Sequence, residues 1–358
     1  MMNIYHHRLE LIQKLLELNF KVTVAAPRGG EEKKLEKLGC HFIHMPVDNR
    51  GTNVKRDLGL IKDLSRVYKK VNPDVILTFY TKTNIYGGLV ARWMKIPYIE
   101  NICGLGTSLA GDGLLSKIMG AMYKEALKKS SFVFFQNKSN IKYITGRKIY
   151  NGSYDLLPGS GVSLNRYSLL PYPNTKKKEF LFCSRILKEK GIEEYIEAAR
   201  VIKKKYPDTV FHVVGPCEPS QEAKMVDSIK KGDIVYHGKV MDLHPLMAKI
   251  HCCILPSYYP EGMANILLES AASGRPVITT GLPGCGETVE DNVTGFVMKE
   301  KDTDSLVRCI EKFLRLSHEE QETMGKAGRK KMEKEFDRSI VTQQYITIIN
   351  NVVSNKTE

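Results

Sequence analysis

The stretch PSYYPEGMANILLE (256–269) follows a short apolar run, Cys252–Leu255, and leads into small and apolar residues as far as Gly274. A buried strand, a loop punctuated by Pro256 and Pro260, and a helix beginning near Met263 form the strand-to-helix half of a doubly wound unit. The first N–H groups of such a helix have no intrahelical acceptor. Gly262, Met263, Ala264 and Asn265 are therefore expected to offer donors beyond the carboxyl edge of a sheet, a setting suited to phosphate. Glu261 stands at the mouth of this helix, with Glu269 about one and a half turns inside. Carboxylates repel phosphate but accept hydrogen bonds from sugar and ribose hydroxyls.

The same rhythm extends in both directions. Strands are expected at Lys21–Ala25, His41–Met45, Val75–Phe79, Tyr98–Ile102 and Phe132–Phe135, with helices at Arg8–Leu18, Glu31–Leu38, Leu58–Val71 and Leu114–Lys129. The second half adds strands near Glu179–Cys183, Thr209–Val214, Ile234–His237, Cys252–Leu255, Pro276–Thr279 and Gly295–Val297. With 358 residues, about twice a usual domain of roughly 150, the expected fold is α/β: two Rossmann-like doubly wound domains facing a cleft. The Pro- and Lys-rich stretch Tyr167–Lys178 marks the join, giving domains 1–168 and 169–339 and a C-terminal helix within 340–358. The chain opens MMNIYHHRLELIQKLL, almost at once a helix pattern, so the first strand of the N-terminal domain is expected to be missing.

A second cluster lies in FLFCSRILKEKGIEEYIEAA (180–199), where a buried strand ends at Cys183–Ser184 and a helix begins after Gly191. Arg185 and Lys190 fall in the intervening loop. A guanidinium fork and an ammonium at one strand end can neutralise a diphosphate, and a metal-free break of a glycosyl–phosphate bond needs that charge on its leaving group. Asp302-Thr303-Asp304 has the form of a metal-binding D-x-D, but its place before a helical pattern reads as an N-cap, and no catalytic metal or cofactor is expected.

Charge is unevenly spread. Residues 1–170 hold 26 Lys and Arg against 13 Asp and Glu, and residues 171–358 hold 28 against 27. A basic first half suits a polyanion, most readily an anionic membrane surface. The helix pattern Leu114–Lys129, with Lys117, Lys124, Lys128 and Lys129, is a candidate for interfacial contact. Aromatic residues do not interleave with the basic clusters, so nucleic acid is not an expected partner. The eight cysteines include no C-x-x-C pair, which fits a reduced, cytoplasmic protein held peripherally at the membrane.

These segments together resemble the retaining GT-B glycosyltransferases of family 4, in the bacterial branch that builds capsule, O-antigen and other lipid-linked glycans. The likeness runs through Asn3–Arg8, TKTNIYGG (81–88), GLG (104–106), FFQN (134–137), GSGV (159–162), SRILKEKG (184–191), PSYYPEGMANILLESAASGRPVITT (256–280) and GCGETVEDNVTGF (284–296). It implies that Arg185 and Lys190 bind the donor diphosphate, Glu261 the sugar hydroxyls and Glu269 the ribose. Backbone groups near Gly215 and around Lys239 and Val240 would hold the base. Lys82, Asn84, Gly104 and Gly106 would face the acceptor.

The implied reaction moves a hexose or N-acetylhexosamine from a UDP-sugar to a polyprenyl-diphosphate-linked saccharide. A non-hydrolysing UDP-sugar epimerase and a non-catalytic nucleotide-sugar-binding paralogue share the pattern. Relatives begin with a strand and a glycine-containing loop before the segment matching Asn3–Arg8, often carry Arg where Gly286 stands, and often carry Asp at Ser163.

Overall fold

The computed structural model describes residues 4–47, 54–105, 113–259 and 261–357. The chain divides into two compact units, Met1–Gly161 with Arg338–Glu358, and Val162–Asp337.

In the first unit the order is α1 (Ile4–Glu17), β1 (Thr23–Ala26), α2 (Glu32–Lys37), β2 (His41–His44), α3 (Val54–Val71), β3 (Ile76–Phe79), α4 (Thr81–Trp93), β4 (Tyr98–Ile102), α5 (Leu114–Leu127), β5 (Phe132–Phe135), α6 (Lys138–Gly146) and β6 (Tyr154–Leu156). Every ladder is parallel, but the strands form two sheets, β1-β2 and β3-β4-β5-β6. All five residues of β4 are buried, as a central parallel strand covered on both faces requires. Three elements lie outside the expected set: α6, which begins at an Asn137 cap, β6 and α4. β6 was not expected, since Tyr154 and Asp155 are exposed and give no apolar signal. α4 was not expected either, because TKTNIYGGLV lacks both a capping side chain and acidic residues in its first turn.

The second unit runs β7 (Lys178–Cys183), α7 (Ile192–Lys205), β8 (Thr209–Val214), α8 (Glu222–Lys230), β9 (Val235–Tyr236), α9 (His244–Met247), β10 (Cys252–Leu255), α10 (Asn265–Ala272), β11 (Val277–Thr280), β12 (Gly295–Met298), α11 (Thr303–Arg315) and α12 (His318–Lys331). The final helix α13 (Arg338–Thr357) belongs to the first unit, where Val341, Tyr345 and Ile349 pack with Leu11, Leu15, Ile99 and Phe134.

The six strands of the second unit form one parallel sheet, ordered β12-β11-β10-β7-β8-β9. Its core is a single cluster from Val162 to Phe336, with Phe180, Phe182, Phe211, Ile254 and Leu267 fully buried. Strand order reverses between β7 and β10: the chain moves outward from β7 through β8 and β9, then returns to β10 and moves the other way. In an open parallel sheet the crevice beyond the carboxyl ends of those two strands is where ligands bind. Arg185 and Lys190 follow β7, and Glu261 follows β10.

Candidate active site

Two loops meet at that reversal, held together by backbone. Tyr258 donates its N–H to the Glu189 carbonyl at 2.8 Å, and the Thr280 hydroxyl donates to the Ser257 carbonyl at 2.6 Å. Gly191 has φ +78°, and a Cβ there would fall on the Pro256 carbonyl oxygen, so only glycine lets the two loops close. Gly215 has φ +137° and brings the end of β8 against Ser184, which fixes where the chain turns into Arg185.

The side chains then converge. Lys190, 7% exposed, pairs with the Glu261 carboxylate. Its Nζ also lies 4.8 Å from the centre of the Tyr259 ring, and the Arg185 guanidinium lies 5.6 Å from the same centre. Arg185 is only loosely held by a carboxylate, at 3.9 Å from Glu218. Burial, followed by lesser influences that include Arg185, pulls Lys190 down to about 7. Cys285 works against that descent. Desolvation is the dominant cause, so the net direction is downward. The result is two cations and one carboxylate at a strand-end crevice, with the ammonium dependent on a nearby anion to keep its proton.

Glu261 is positioned by the loop after β11. Gly284 has φ +83°, and a Cβ there would lie 2.6 Å from the Glu261 Cβ. The Gly284 N–H is held by the Glu287 carboxylate at 2.7 Å. The Gly284 carbonyl accepts from the N–H of Ala264 at 2.8 Å. This corrects two expectations. The helix α10 starts at Asn265 rather than near Met263, and the Ala264 N–H is consumed inside the fold, leaving it unable to serve a phosphate in this arrangement. Gly262 and Met263 are buried in the approach to α10, and Asn265 is its first residue. Glu269 is half-buried on α10, close enough to contribute to raising the Cys183 thiol at the end of β7, behind burial and Cys253.

At the expected base-binding positions the Gly215 backbone is paired within the fold. Gly215 donates its N–H to the Gly238 carbonyl at 2.8 Å, and its carbonyl accepts from the Tyr236 hydroxyl at 2.9 Å, so both backbone groups already have partners. Lys239 is exposed, and Val240 packs partly against the unit's core. Asp302 accepts from the Ser305 N–H at 2.8 Å and caps α11, as its position before a helix suggested. No group of three potential metal ligands occurs among the described residues.

In the first unit Lys82 is neutralised by Asp57 at 2.6 Å, and Asp57 also accepts from Tyr86 at 2.9 Å. Asn84 is fully buried and donates to the Asn101 carbonyl at 2.8 Å, which ties α4 to β4. Gly104 follows β4, and Gly106 lies outside the described residues. Two residues that the sequence reading did not single out stand at the sites. Tyr259 gives Arg185 and Lys190 a shared aromatic face. Arg8, 6% exposed, stacks at 4.5 Å over Phe79 and donates to the His7 carbonyl at 2.9 Å, at the carboxyl end of β3. The doubled tyrosine between a strand and Glu261 is the one signal that pointed to Tyr259.

Comparison with known proteins fits this geometry. Residues 171–331 match the family model "Glycosyl transferases group 1", and residues 3–137 match "Glycosyl transferase 4-like". The chain is 26% identical to the N,N'-diacetylbacillosaminyl-diphospho-undecaprenol alpha-1,3-N-acetylgalactosaminyltransferase of Campylobacter jejuni, over 99% of this chain and 97% of that protein. It is 24% identical to the capsular polysaccharide biosynthesis glycosyltransferase CapM of Staphylococcus aureus, over 95% and 92%. Among solved structures, HepE of Anabaena in complex with UDP and glucose superposes with a TM-score of 0.78 at 16% identity, covering 96% of each chain. The two matched segments take in most of the sequence, and the chain belongs to the GT-B glycosyltransferases of family 4.

Proposed function

We propose that this protein transfers a hexose or N-acetylhexosamine from a UDP-sugar to a polyprenyl-diphosphate-linked saccharide, with retention of anomeric configuration, in bacterial cell-surface polysaccharide synthesis. The observation that carries the reading is the convergence of Arg185, Lys190 and Glu261 at the reversal of strand order in the second unit. The donor diphosphate takes the place of Glu261 beside Lys190, and Glu261, released, accepts hydrogen bonds from the sugar hydroxyls. Arg185 and Lys190 stabilise the charge that grows on the departing diphosphate as the C1–O bond breaks. The acceptor hydroxyl attacks C1 from the same face and passes its proton to the departing phosphate oxygen, so the configuration is kept. Glu269 is assigned to the ribose.

The lipid-linked acceptor is supported by the name of the Campylobacter relative, the cell-surface polysaccharide setting by that of the Staphylococcus relative, and the UDP donor by the Anabaena complex. Such an acceptor places the reaction at the cytoplasmic face of the membrane, with the protein held there peripherally by its basic first half. No helix among the described residues is long and apolar enough to cross a membrane. The test is a screen of radiolabelled UDP-sugars against bacterial lipid extracts. Label should move into the organic phase with one UDP-sugar, and no transfer from any of them would refute the reading.

A further inference from the structure

Three ionisable side chains form a row across the outer edge of the sheet in the second unit, and none of them belongs to the donor site. Glu179 lies on β7, His212 on β8 and His237 just past β9. The register pairs Glu179 with Val210 and His212 with Val235. Side chains alternate faces along a strand, so Glu179 and His212 share a face, and His237, two residues beyond Val235, returns to it. The His212 Nε2–H donates to the Glu179 carboxylate at 2.8 Å, and His212 Nδ1 lies 3.0 Å from His237 Nε2. The two imidazole rings are tilted by 39° with their centres 5.1 Å apart.

A carboxylate at Nε2 holds the ring proton of His212 there and leaves the Nδ1 lone pair facing His237. When the ring proton of His237 sits on its Nδ1, both imidazoles turn a lone pair toward one point. Tetrahedral coordination with metal–nitrogen bonds of about 2.0–2.1 Å sets two such nitrogens about 3.3 Å apart, only about 0.3 Å more than their present separation. Glu179 then stands where a carboxylate orients a metal-bound imidazole from its far side. His237 is exposed, so water can complete the coordination. Imidazole nitrogen favours zinc, copper or nickel, whereas magnesium and calcium take oxygen. The setting gives such a bridge a task. β9 has two residues, the shortest strand of its sheet, and pairs with β8 only through His212–Val235 and Val213–Tyr236. The chain then enters Gly238, whose carbonyl holds the Gly215 N–H at 2.8 Å. A metal joining His212 to His237 fastens the edge strand immediately before that turn.

We propose that His212 Nδ1 and His237 Nε2 bind a divalent transition-metal ion, with Glu179 orienting His212, and that the ion clamps the edge strand β9 to β8. The site stands apart from the identity of the sugar donor and acceptor, so it is tested without either. Full-length protein is titrated calorimetrically with zinc chloride at about pH 7.5, where imidazole is largely neutral. The wild type should bind zinc, and His237→Ala, a change at an exposed position, should lose that site. His237→Cys supplies a thiolate in place of the imidazole and should keep it. Glu179→Gln should weaken it by about tenfold to a hundredfold. Zinc should raise the urea midpoint of the wild type and leave that of His237→Ala unmoved, because a ligand of the native state stabilises it. Equal zinc affinity in the wild type and His237→Ala would place the metal on other histidines or on cysteines and overturn the site. A wild type that binds no zinc would also overturn it, leaving the two rings joined by a hydrogen bond alone. Competition by magnesium at equal concentration would overturn the metal class.

Discussion

Lys190 and Glu261 meet ion to ion across the two loops that leave β7 and β10, adjacent strands of one parallel sheet. The pair closes the crevice with groups of opposite sign, each suited to a different part of a nucleotide sugar. In the proposed reaction the entering donor divides them, with the diphosphate taking the ammonium and the hexose taking the carboxylate.

That exchange has a proton signature. Lys190 is pulled down to about 7 by burial, and an incoming diphosphate raises it again. Above that pH, binding of a UDP-sugar should take up close to one proton, about one per site, and affinity should weaken as pH rises. Calorimetry in buffers of different ionisation enthalpy reads the uptake directly. Lys190→Arg, which stays charged, should abolish it.

The aromatic face of Tyr259 holds both Arg185 and Lys190. Tyr259→Phe keeps the ring and should bind UDP as the wild type does. Tyr259→Leu should weaken UDP binding between about twofold and thirtyfold, the range expected for losing a half-buried cation–π contact. Equal affinities in the two variants would remove the ring from the site.

Gly191 cannot be replaced without cost. Its positive φ and the Pro256 carbonyl behind it mean that Gly191→Ala should destabilise the protein by at least about 2 kcal/mol. The loops would part, so UDP affinity should fall with the denaturation midpoint. Urea unfolding followed by circular dichroism, with UDP titration on the folded variant, separates the two effects.

Glu100 lies at the centre of β4, fully buried, with neither carboxylate oxygen hydrogen-bonded, and burial raises it well above the ordinary carboxylate range. The folded state therefore keeps a proton that the unfolded chain releases at an ordinary value. Stability falls as pH climbs between the two, by up to about 1.4 kcal/mol per pH unit. Glu100→Gln keeps the shape and removes the titration. As pH rises above the ordinary carboxylate range the wild type should lose stability relative to the variant, and parallel stability curves would contradict this.

The convergence of Arg185, Lys190 and Glu261 was largely legible in the sequence because these residues follow buried strands. The apolar runs Phe180–Phe182 and Cys252–Leu255 fix the strands, and Arg185, Lys190 and Glu261 follow at their carboxyl ends. What stayed hidden depends on contacts distant along the chain. The Gly284 carbonyl takes the Ala264 N–H and delays α10 to Asn265. Asp57 neutralises Lys82, and Tyr236 and Gly238 occupy the backbone of Gly215. The start of α4 is concealed for a local reason, since its N-cap Tyr80 adopts φ +73° and offers no side-chain cap. The positive φ at Tyr80 and the burial of Arg8 both concern the edge where β3 ends, and neither leaves a mark in residue type alone.

The most direct measurement is the turnover of Arg185→Ala beside the wild type, using the UDP-sugar and lipid fraction found in the radiolabel screen. Loss of the guanidinium that steadies the leaving diphosphate should lower turnover by a factor on the order of 10² to 10³ with the fold retained. Turnover equal to that of the wild type would contradict the placement of the donor at the meeting of β7 and β10.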